Sequence, residues 1–169
     1  MRVLVYAAAG GLAAAPATAS ELLVSVEIPR LTVSEYHRPY VAVWLEGANQ
    51  SVTNLAVWYE VGKRDGEGTK WLKDMRTWWR RSGRELTMPA DGISGATRPP
   101  GKQQLAFAGD KGPLTTLPAG EYNLVVEAAR EVGGRELLRV PFQWPPKAPA
   151  KADAKGESEL ASISVELKP

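Results

Sequence analysis

The chain has 169 residues, and its 21 basic and 19 acidic side chains leave a formal net charge of only +2. This near balance argues against a nucleic-acid-binding protein, because such proteins usually carry a strong basic excess. The sequence contains no cysteine and a single histidine, His37, which excludes disulfides, thiolate metal sites, covalent haem attachment and multi-histidine metal sites. We therefore expect neither a bound metal nor a nucleic-acid partner.

The first nineteen residues predict a secretory signal peptide. Arg2 supplies the positively charged start, residues 3–15 form an apolar stretch, and small residues occupy the cleavage positions 17–19. The apolar stretch is shorter than the roughly 20 residues that a membrane span needs. Without residues 1–19 the chain keeps about 150 residues, enough for one domain with its own core. The sequence thus predicts a periplasmic protein with a single domain over residues 20–169.

Alternation of apolar and polar residues with a period of two dominates this domain. The pattern places apolar side chains on one face of each segment, as in a half-buried strand. About seven strands are predicted, with apolar faces centred on residues 22–28, 41–45, 55–61, 105–107, 122–128, 138–144 and 161–167. Gly133-Gly134 separates two of them and favours a hairpin turn, because glycine tolerates positive φ. Short strands at this spacing predict an immunoglobulin-like antiparallel β-sandwich.

One segment departs from the strand pattern. Its apolar residues recur at helical spacing, with Thr69 as the expected N-cap and Gly83 just beyond the expected end. The pattern predicts a short helix over residues 70–82, inserted between two strands. The residues on its apolar face are Trp71, Leu72, Met75, Trp78 and Trp79.

A second segment has the composition of a loop. Residues 145–158 are rich in proline, alanine and lysine and low in complexity, which predicts a mobile loop. A strand-like run follows at 161–167, so this loop is expected to lie within the domain rather than to link two domains.

The loop at residues 91–101, Asp-Gly-Ile-Ser-Gly-Ala-Thr-Arg-Pro-Pro-Gly, presents the hydroxyl of Thr97 among small residues. Gly95 and Ala96 remove side-chain bulk beside that hydroxyl, and consecutive amides in such a turn can form an anion-binding concavity. Arg98 is adjacent and can pair with a phosphodiester charge. The pattern is therefore typical of a site for a phosphate ester. The alternative is an ordinary surface turn, since these residue types are common in turns.

Asp91, Ser94, Gly95, Ala96 and Thr97 together resemble the acceptor motif of proteins that carry flavin mononucleotide (FMN) covalently on threonine. In that motif an aspartate, two further residues, a serine or threonine and a small residue precede Ala-Thr. The wider sequence resembles a bacterial family of predicted periplasmic proteins, domain of unknown function family 2271. The segments that carry this second resemblance are 38–44, 55–58, 70–79, 94–101 and 120–124.

These resemblances imply a small exported flavoprotein. An FAD:protein FMN transferase would esterify the FMN phosphate onto Thr97, and the product would exchange electrons with a membrane-bound reductase or a periplasmic redox partner. Asp91 is expected to help the transferase recognise or activate the hydroxyl. With no acid–base set or nucleophilic triad evident in the sequence, we expect a redox carrier without catalytic residues rather than a stand-alone enzyme.

Two features near the loop have two interpretations each. Trp71, Trp78 and Trp79 offer flat apolar faces for a flavin ring, but a face at helical spacing also packs well against a sheet. Residues 63–85 hold eight basic and four acidic side chains. They form either a docking surface for an acidic partner or a solvated helix face.

Two other functions compete with the carrier hypothesis. One is a cofactor-free immunoglobulin-like scaffold or binding module of a membrane complex. The other is association with a membrane surface through the Trp- and Arg-rich helix. The fold alone does not decide among them.

Overall fold

The computed structural model describes residues 18–169, so nearly all of the predicted signal peptide lies outside the described residues. The described part of the chain forms nine strands, one α-helix and four 3-10 helices. The strands are β1 Glu21–Ile28, β2 Tyr40–Glu46, β3 Val52–Tyr59, β4 Ser94–Ala96, β5 Gly101–Ala108, β6 Gly120–Ala129, β7 Arg135–Trp144, β8 Ala150–Lys155 and β9 Ser162–Lys168. The helices are α1 Arg76–Arg81 and 3-10 helices at Ala48–Gln50, Arg64–Asp74, Gly83–Glu85 and Gly112–Leu114.

The strands form two sheets packed face to face. One sheet has the order β5-β1-β9-β8 and the other the order β4-β3-β2-β6-β7. Neighbouring strands are antiparallel except for the short β4, which pairs with β3 in parallel. The predicted β-sandwich is confirmed, with β4 and β8 as additions to the expected strands.

The core lies between the two sheets and follows from the alternation in the sequence. Val24 and Val26 of β1 and Leu124 and Val126 of β6 are fully buried in it, with polar or outward-facing residues between them. Burial of each such side chain stabilises the fold by about 1.5–3 kcal/mol. The period-two pattern therefore fixes which face of each strand turns inward.

A second apolar cluster covers the outer face of the five-stranded sheet. Here Trp44 of β2 and Val57 of β3 pack against Leu72, Met75 and Trp78 of the segment between β3 and β4. Because this layer covers them, β2, β3 and β6 are buried on both faces over much of their length. The segment predicted to be helical thus has its apolar face on the sheet.

That segment is not the single helix predicted over residues 70–82. The segment Arg64–Asp74 consists of 3-10 turns interrupted at Asp65 and Gly66, which have positive φ (54° and 69°); the backbone breaks again at Met75 (φ −77°, ψ 74°), and α1 begins at Arg76. Thr69 is not an N-cap; its hydroxyl donates to the Gly66 carbonyl at 2.7 Å. The break occurs where Glu127, on the sheet below, accepts hydrogen bonds from the first backbone amides of α1.

The prediction of a loop over residues 145–158 is wrong for residues 150–155, which form β8. This strand pairs with β9 along its whole length, from Ala150 opposite Leu167 to Lys155 opposite Ser162. Ala152 and Ala154 pack against the core, and lysine and aspartate side chains alternate with them. Pairing with a neighbouring strand here outweighs a composition that is poor in strand-forming residues.

Gly133 and Gly134 lie in the hairpin turn between β6 and β7, as predicted, but for another reason. The left-handed residue of the turn is Val132 (φ 54°), and neither glycine has positive φ. A Cβ on Gly133 would instead lie 2.5–2.8 Å from the guanidinium atoms of Arg130. A side chain at position 133 would therefore displace the Arg130 guanidinium, which lies directly on the turn.

Candidate functional site

Thr97 lies at the edge of the five-stranded sheet, directly after β4. In the parallel pairing of this strand with β3, Ala96 is opposite Tyr59. Upstream, the Ser94 hydroxyl accepts a hydrogen bond from the Ala90 amide at 2.9 Å, and the Ser94 amide donates to the Ala90 carbonyl at 3.1 Å. Ser94 therefore closes a tight turn whose tip carries the exposed residues Asp91 and Gly92.

The residues around Thr97 leave it partly exposed. Ala96 is exposed, whereas Thr97 and Arg98 are half-buried. The Arg98 guanidinium lies 5.2 Å from the centroid of the Trp58 ring, a distance suited to a cation–π contact. Gly95 packs beside both groups, since a Cβ there would be 3.4 Å from Trp58 and 3.7 Å from Arg98.

Thr97 also lines a cleft of about 670 Å³ at this end of the sheet. We call it the strand-end cleft, because its residues follow or begin neighbouring strands. The strand register brings the ends of these strands to the same edge of the sheet, since Ala96 is opposite Tyr59, Tyr40 is opposite Ala129, and Ala129 is opposite Arg135. The cleft lining includes the side chains of Tyr36, Tyr40, Glu60, Trp71, Thr97, Arg130 and Arg135.

Two arginines of the cleft form ion pairs with buried carboxylates. Arg130 binds Glu159 at 2.8 Å, and both side chains are almost fully buried. Arg135 binds the fully buried Glu127 at 2.6 Å. Both carboxylates also accept backbone hydrogen bonds, so they are held firmly and in turn hold the guanidinium groups in place.

Further positive groups line the cleft. Among the ion pairs of residues 18–169, none involves Arg38 or Arg76, which both border the cleft. The hydrogen bond to the Glu35 carboxylate, at 2.8 Å, raises the pKa of His37 at the same border, and Glu131 at 3.6 Å adds to the effect. Three acidic residues, Glu60, Asp74 and Glu131, line the cleft as well, and Glu60 is paired with Lys63 at 2.7 Å. The cleft therefore carries charges of both signs.

Tyr40 forms part of the cleft floor and stays protonated. Burial raises the pKa of its hydroxyl, which donates a hydrogen bond to the Gly68 carbonyl at 2.9 Å. This bond ties the end of β2 to the 3-10 helix above it. Since that helix carries Trp71, Tyr40 helps to position one wall of the cleft.

The three candidate tryptophans have different environments. Trp71 is 38% exposed and lines the cleft, with the Lys63 ammonium 4.5 Å from its ring centroid. Trp78 is fully buried; its indole N–H donates to Asn54 at 2.8 Å, and its ring fills the space beside Gly83. Trp79 is partly buried against the outer cluster. Only Trp71 of the three therefore has a surface available to a ligand in the cleft, and the flavin-stacking interpretation of Trp78 is wrong.

The basic segment at 63–85 is partly neutralised. Four of its eight basic residues form ion pairs with acidic neighbours: Lys63, Lys70, Arg81 and Arg84. Exposed pairs of this kind contribute little to stability but reduce the local positive field. The segment is thus less positive than its sequence indicates.

Tyr36, Glu60, Arg130 and Arg135 belong to the site but cannot be recognised as members of it from the local sequence. They lie far apart in the chain and meet only because of the strand order. The one local signal was the pair of arginines flanking the Gly133-Gly134 turn. Across residues 18–169, no cluster of three or more histidine or acidic side chains could hold a metal ion, and no helix has the length and apolarity to span a membrane.

The sequence model of a family described as "Predicted periplasmic protein (DUF2271)" matches residues 21–162. This match covers β1 to β8 and the first residue of β9, together with the Thr97 loop and all of the cleft residues named above. No curated protein and no solved structure matches the chain.

Proposed function

The chain belongs to the DUF2271 family of predicted periplasmic proteins, and from this premise we propose that it is a periplasmic flavoprotein carrying FMN covalently on Thr97. Its role would be to relay electrons between a membrane-bound reductase and periplasmic partners. The observation that carries the proposal is the position of Thr97. A partly exposed threonine follows an exposed alanine at the sheet edge and opens onto the strand-end cleft.

The attachment chemistry fits this loop. The Thr97 Oγ1 would form a bond to the FMN phosphorus of FAD. The pyrophosphate bond then breaks, AMP leaves with its electron pair, and the hydroxyl proton passes to a base of the FAD:protein FMN transferase. Gly95 and Ala96 leave room for the incoming phosphate, and Arg98 can pair with the phosphodiester that results. Asp91 is exposed at the tip of the upstream turn, and its proposed role is recognition by the transferase.

The cleft fits the rest of the cofactor. Its volume lies within the range of about 300–1,000 Å³ that is usual for ligand pockets. It offers the aromatic surface of Trp71, together with the guanidinium groups of Arg38 and Arg76, which form no ion pair within residues 18–169. When bound, flavin supplies reversible transfer of electrons and protons, while the protein orients it and tunes its electronics. We assign no catalytic residues, in keeping with a carrier.

Mass spectrometry of the exported protein tests this proposal. Co-expression with an FAD:protein FMN transferase should add the mass of one FMN phosphodiester, and the yellow colour should survive denaturation. Thr97→Ala should abolish the gain and Thr97→Ser should retain part of it. Thr116→Ala, which removes an exposed hydroxyl elsewhere, is the matched control and should leave labelling unchanged.

A result without added mass would favour a different function. If the same transferase labels a control acceptor protein but not this chain, the carrier proposal is wrong. The cofactor-free scaffold then becomes the better account of the fold.

A further inference from the structure

β5 forms one edge of the four-stranded sheet, and one of its two sides is unpaired. It pairs with β1 over its whole length, from Gly101 opposite Ile28 to Ala108 opposite Glu21. Within the described part of the chain, residues 101–107 make no backbone hydrogen bond to any other segment. A strand with an unpaired side offers a row of donors and acceptors to which another strand can be added.

The alternation of an antiparallel ladder identifies these unpaired groups. Directly beyond the paired residues, the Gly109 amide donates to the Ser20 carbonyl at 2.7 Å. In such a ladder every second residue turns both its N–H and its C=O towards the neighbouring strand. The odd-numbered residues of β5 therefore bond to β1, and the even-numbered residues turn their backbone groups outward. The outward residues in the middle of the strand, all with exposed side chains, are Lys102, Gln104 and Ala106.

The other sheet edges are better protected against strand addition. β4 has only three residues, and β7 contains Pro141, which has no N–H to donate. The exposed residues of β8 include Lys151, Asp153 and Lys155. Short length, proline and charged side chains are the usual means by which edge strands avoid pairing with other chains. β5 has eight residues, no proline and a single charge, that of Lys102, so it is the least protected edge of the described sheets.

We propose that two copies of the chain pair antiparallel through β5, which joins their four-stranded sheets into one continuous sheet. A two-fold axis at Gln104 places this residue opposite its own copy and Lys102 opposite Ala106. The three pairs of outward residues in this register exchange two hydrogen bonds each, or about six in all. Phe107 then lies opposite Gly101, where its ring can cover the glycine.

A second copy fits this edge because β5 is complementary to itself. In the proposed register no charged residue lies opposite a like charge, and such pairs would be destabilising. The amide of Gln104 carries both donors and an acceptor, so it can meet its own copy across the axis. The half-buried side chains of Leu105 and Phe107 become less exposed to water. The low formal net charge of +2 also keeps the repulsion between two copies small.

This pairing is independent of any cofactor. Thr97 lies just before β5, so the antiparallel arrangement places the two Thr97 loops at opposite ends of the joined strands. The two loops therefore do not face each other in the dimer.

Sedimentation equilibrium of the exported protein tests this inference. The wild type should show twice the mass of one chain at concentrations up to about 100 µM. Gln104→Lys places two ammonium groups opposite each other at the axis and should raise the dissociation constant about tenfold or more. Gln143→Lys is the matched control, because it makes the same change at an exposed position on β7, and it should leave the dimer unchanged. Both variants should keep the circular dichroism spectrum of the wild type.

Hydrogen exchange locates the contact. The outward amides of Gln104 and Ala106 should exchange more slowly as the protein concentration rises. The amides of Gln103 and Leu105, which bond to β1, should be protected at every concentration. A wild type that is monomeric throughout the range would overturn this inference, and so would a dimer that Gln104→Lys does not weaken. Neither result bears on the mass gain at Thr97, so the proposed function is tested separately.

Discussion

Replacement of Glu127 by glutamine should destabilise the protein strongly, because this carboxylate joins the sheet to the helical layer. It is fully buried on β6 and accepts hydrogen bonds from the Thr77 amide at 3.1 Å, the Trp78 amide at 2.7 Å and Arg135 at 2.6 Å. A glutamine keeps one acceptor oxygen, but its NH₂ group faces one of these donors. At least one buried amide is then unpaired, at a cost of about 1–3 kcal/mol.

The loss of charge adds to that cost. Hydrogen bonds to a charged acceptor are about twice as strong as neutral ones, so the remaining bonds weaken as well. Arg135 is 39% exposed and can bind water instead, so its share is small. We therefore expect Glu127→Gln to lower the free energy of unfolding by about 3 kcal/mol. In a domain of this size that corresponds to a fall of about 6–12 °C in melting temperature.

Thermal unfolding followed by circular dichroism measures this effect. Glu121→Gln is the control, since it makes the same chemical change at an exposed position on the same strand. The control should stay within about 0.5 kcal/mol of the wild type. Equal melting temperatures for the two variants would refute the reasoning that the Glu127 carboxylate holds the helical layer.

Two further changes test the supports of the cleft. Although burial opposes its ionisation, the four backbone amides that bind the Glu136 carboxylate lower its pKa from the ordinary value of 4.5. Its stabilising effect is therefore complete above that pH and is lost as the pH falls through the lowered pKa. Urea unfolding at a series of pH values should show a shallower loss of stability on acidification for Glu136→Gln; an unchanged slope would contradict this. Gly133→Ala should cost about 1–3 kcal/mol, because its Cβ would collide with the Arg130 guanidinium. Gly62→Ala has open space around its Cβ and should have little effect in the same unfolding assay.

The sequence predicts most strands well because their faces differ in polarity. β1 alternates between buried and more exposed residues over much of its length, and a one-residue slip would turn Val24 and Val26 towards solvent. β8 escapes prediction because its inward residues are alanines, which give a weak apolar signal. Its strand structure comes from pairing with β9, and that contact is not visible in the local sequence.

The helical layer is also predicted only in part by the local sequence. The spacing from Trp71 to Trp79 predicts an apolar face, and Leu72, Met75 and Trp78 do form one against the sheet. Directly after the break at Met75, the amides of Thr77 and Trp78 bind Glu127, which lies about fifty residues later in the chain. A local pattern contains no information about such a partner, so the helix is predicted too long and unbroken.

The candidate site also has one part that is local in the sequence and one part that is not. The loop around Thr97 is one continuous segment, so its resemblance to an acceptor motif can be read from the sequence alone. The cleft is not local, because β4, β3, β2, β6 and β7 are neighbours in space in an order unlike that of the chain. Arg130 and Tyr36 could be recognised as site residues only once that order was known.

In the proposed carrier, the local loop and the non-local cleft would have different roles. An open cleft at the end of a sandwich buries little of a ligand, and affinity from such a surface is limited. A covalent link at Thr97 would remove the need for such affinity, since it would hold the ring at an effective concentration in the millimolar range whatever the cleft contributes. Retention of the cofactor would thus be assigned to the local segment around Thr97, and the surroundings of its ring to the strand order of the fold.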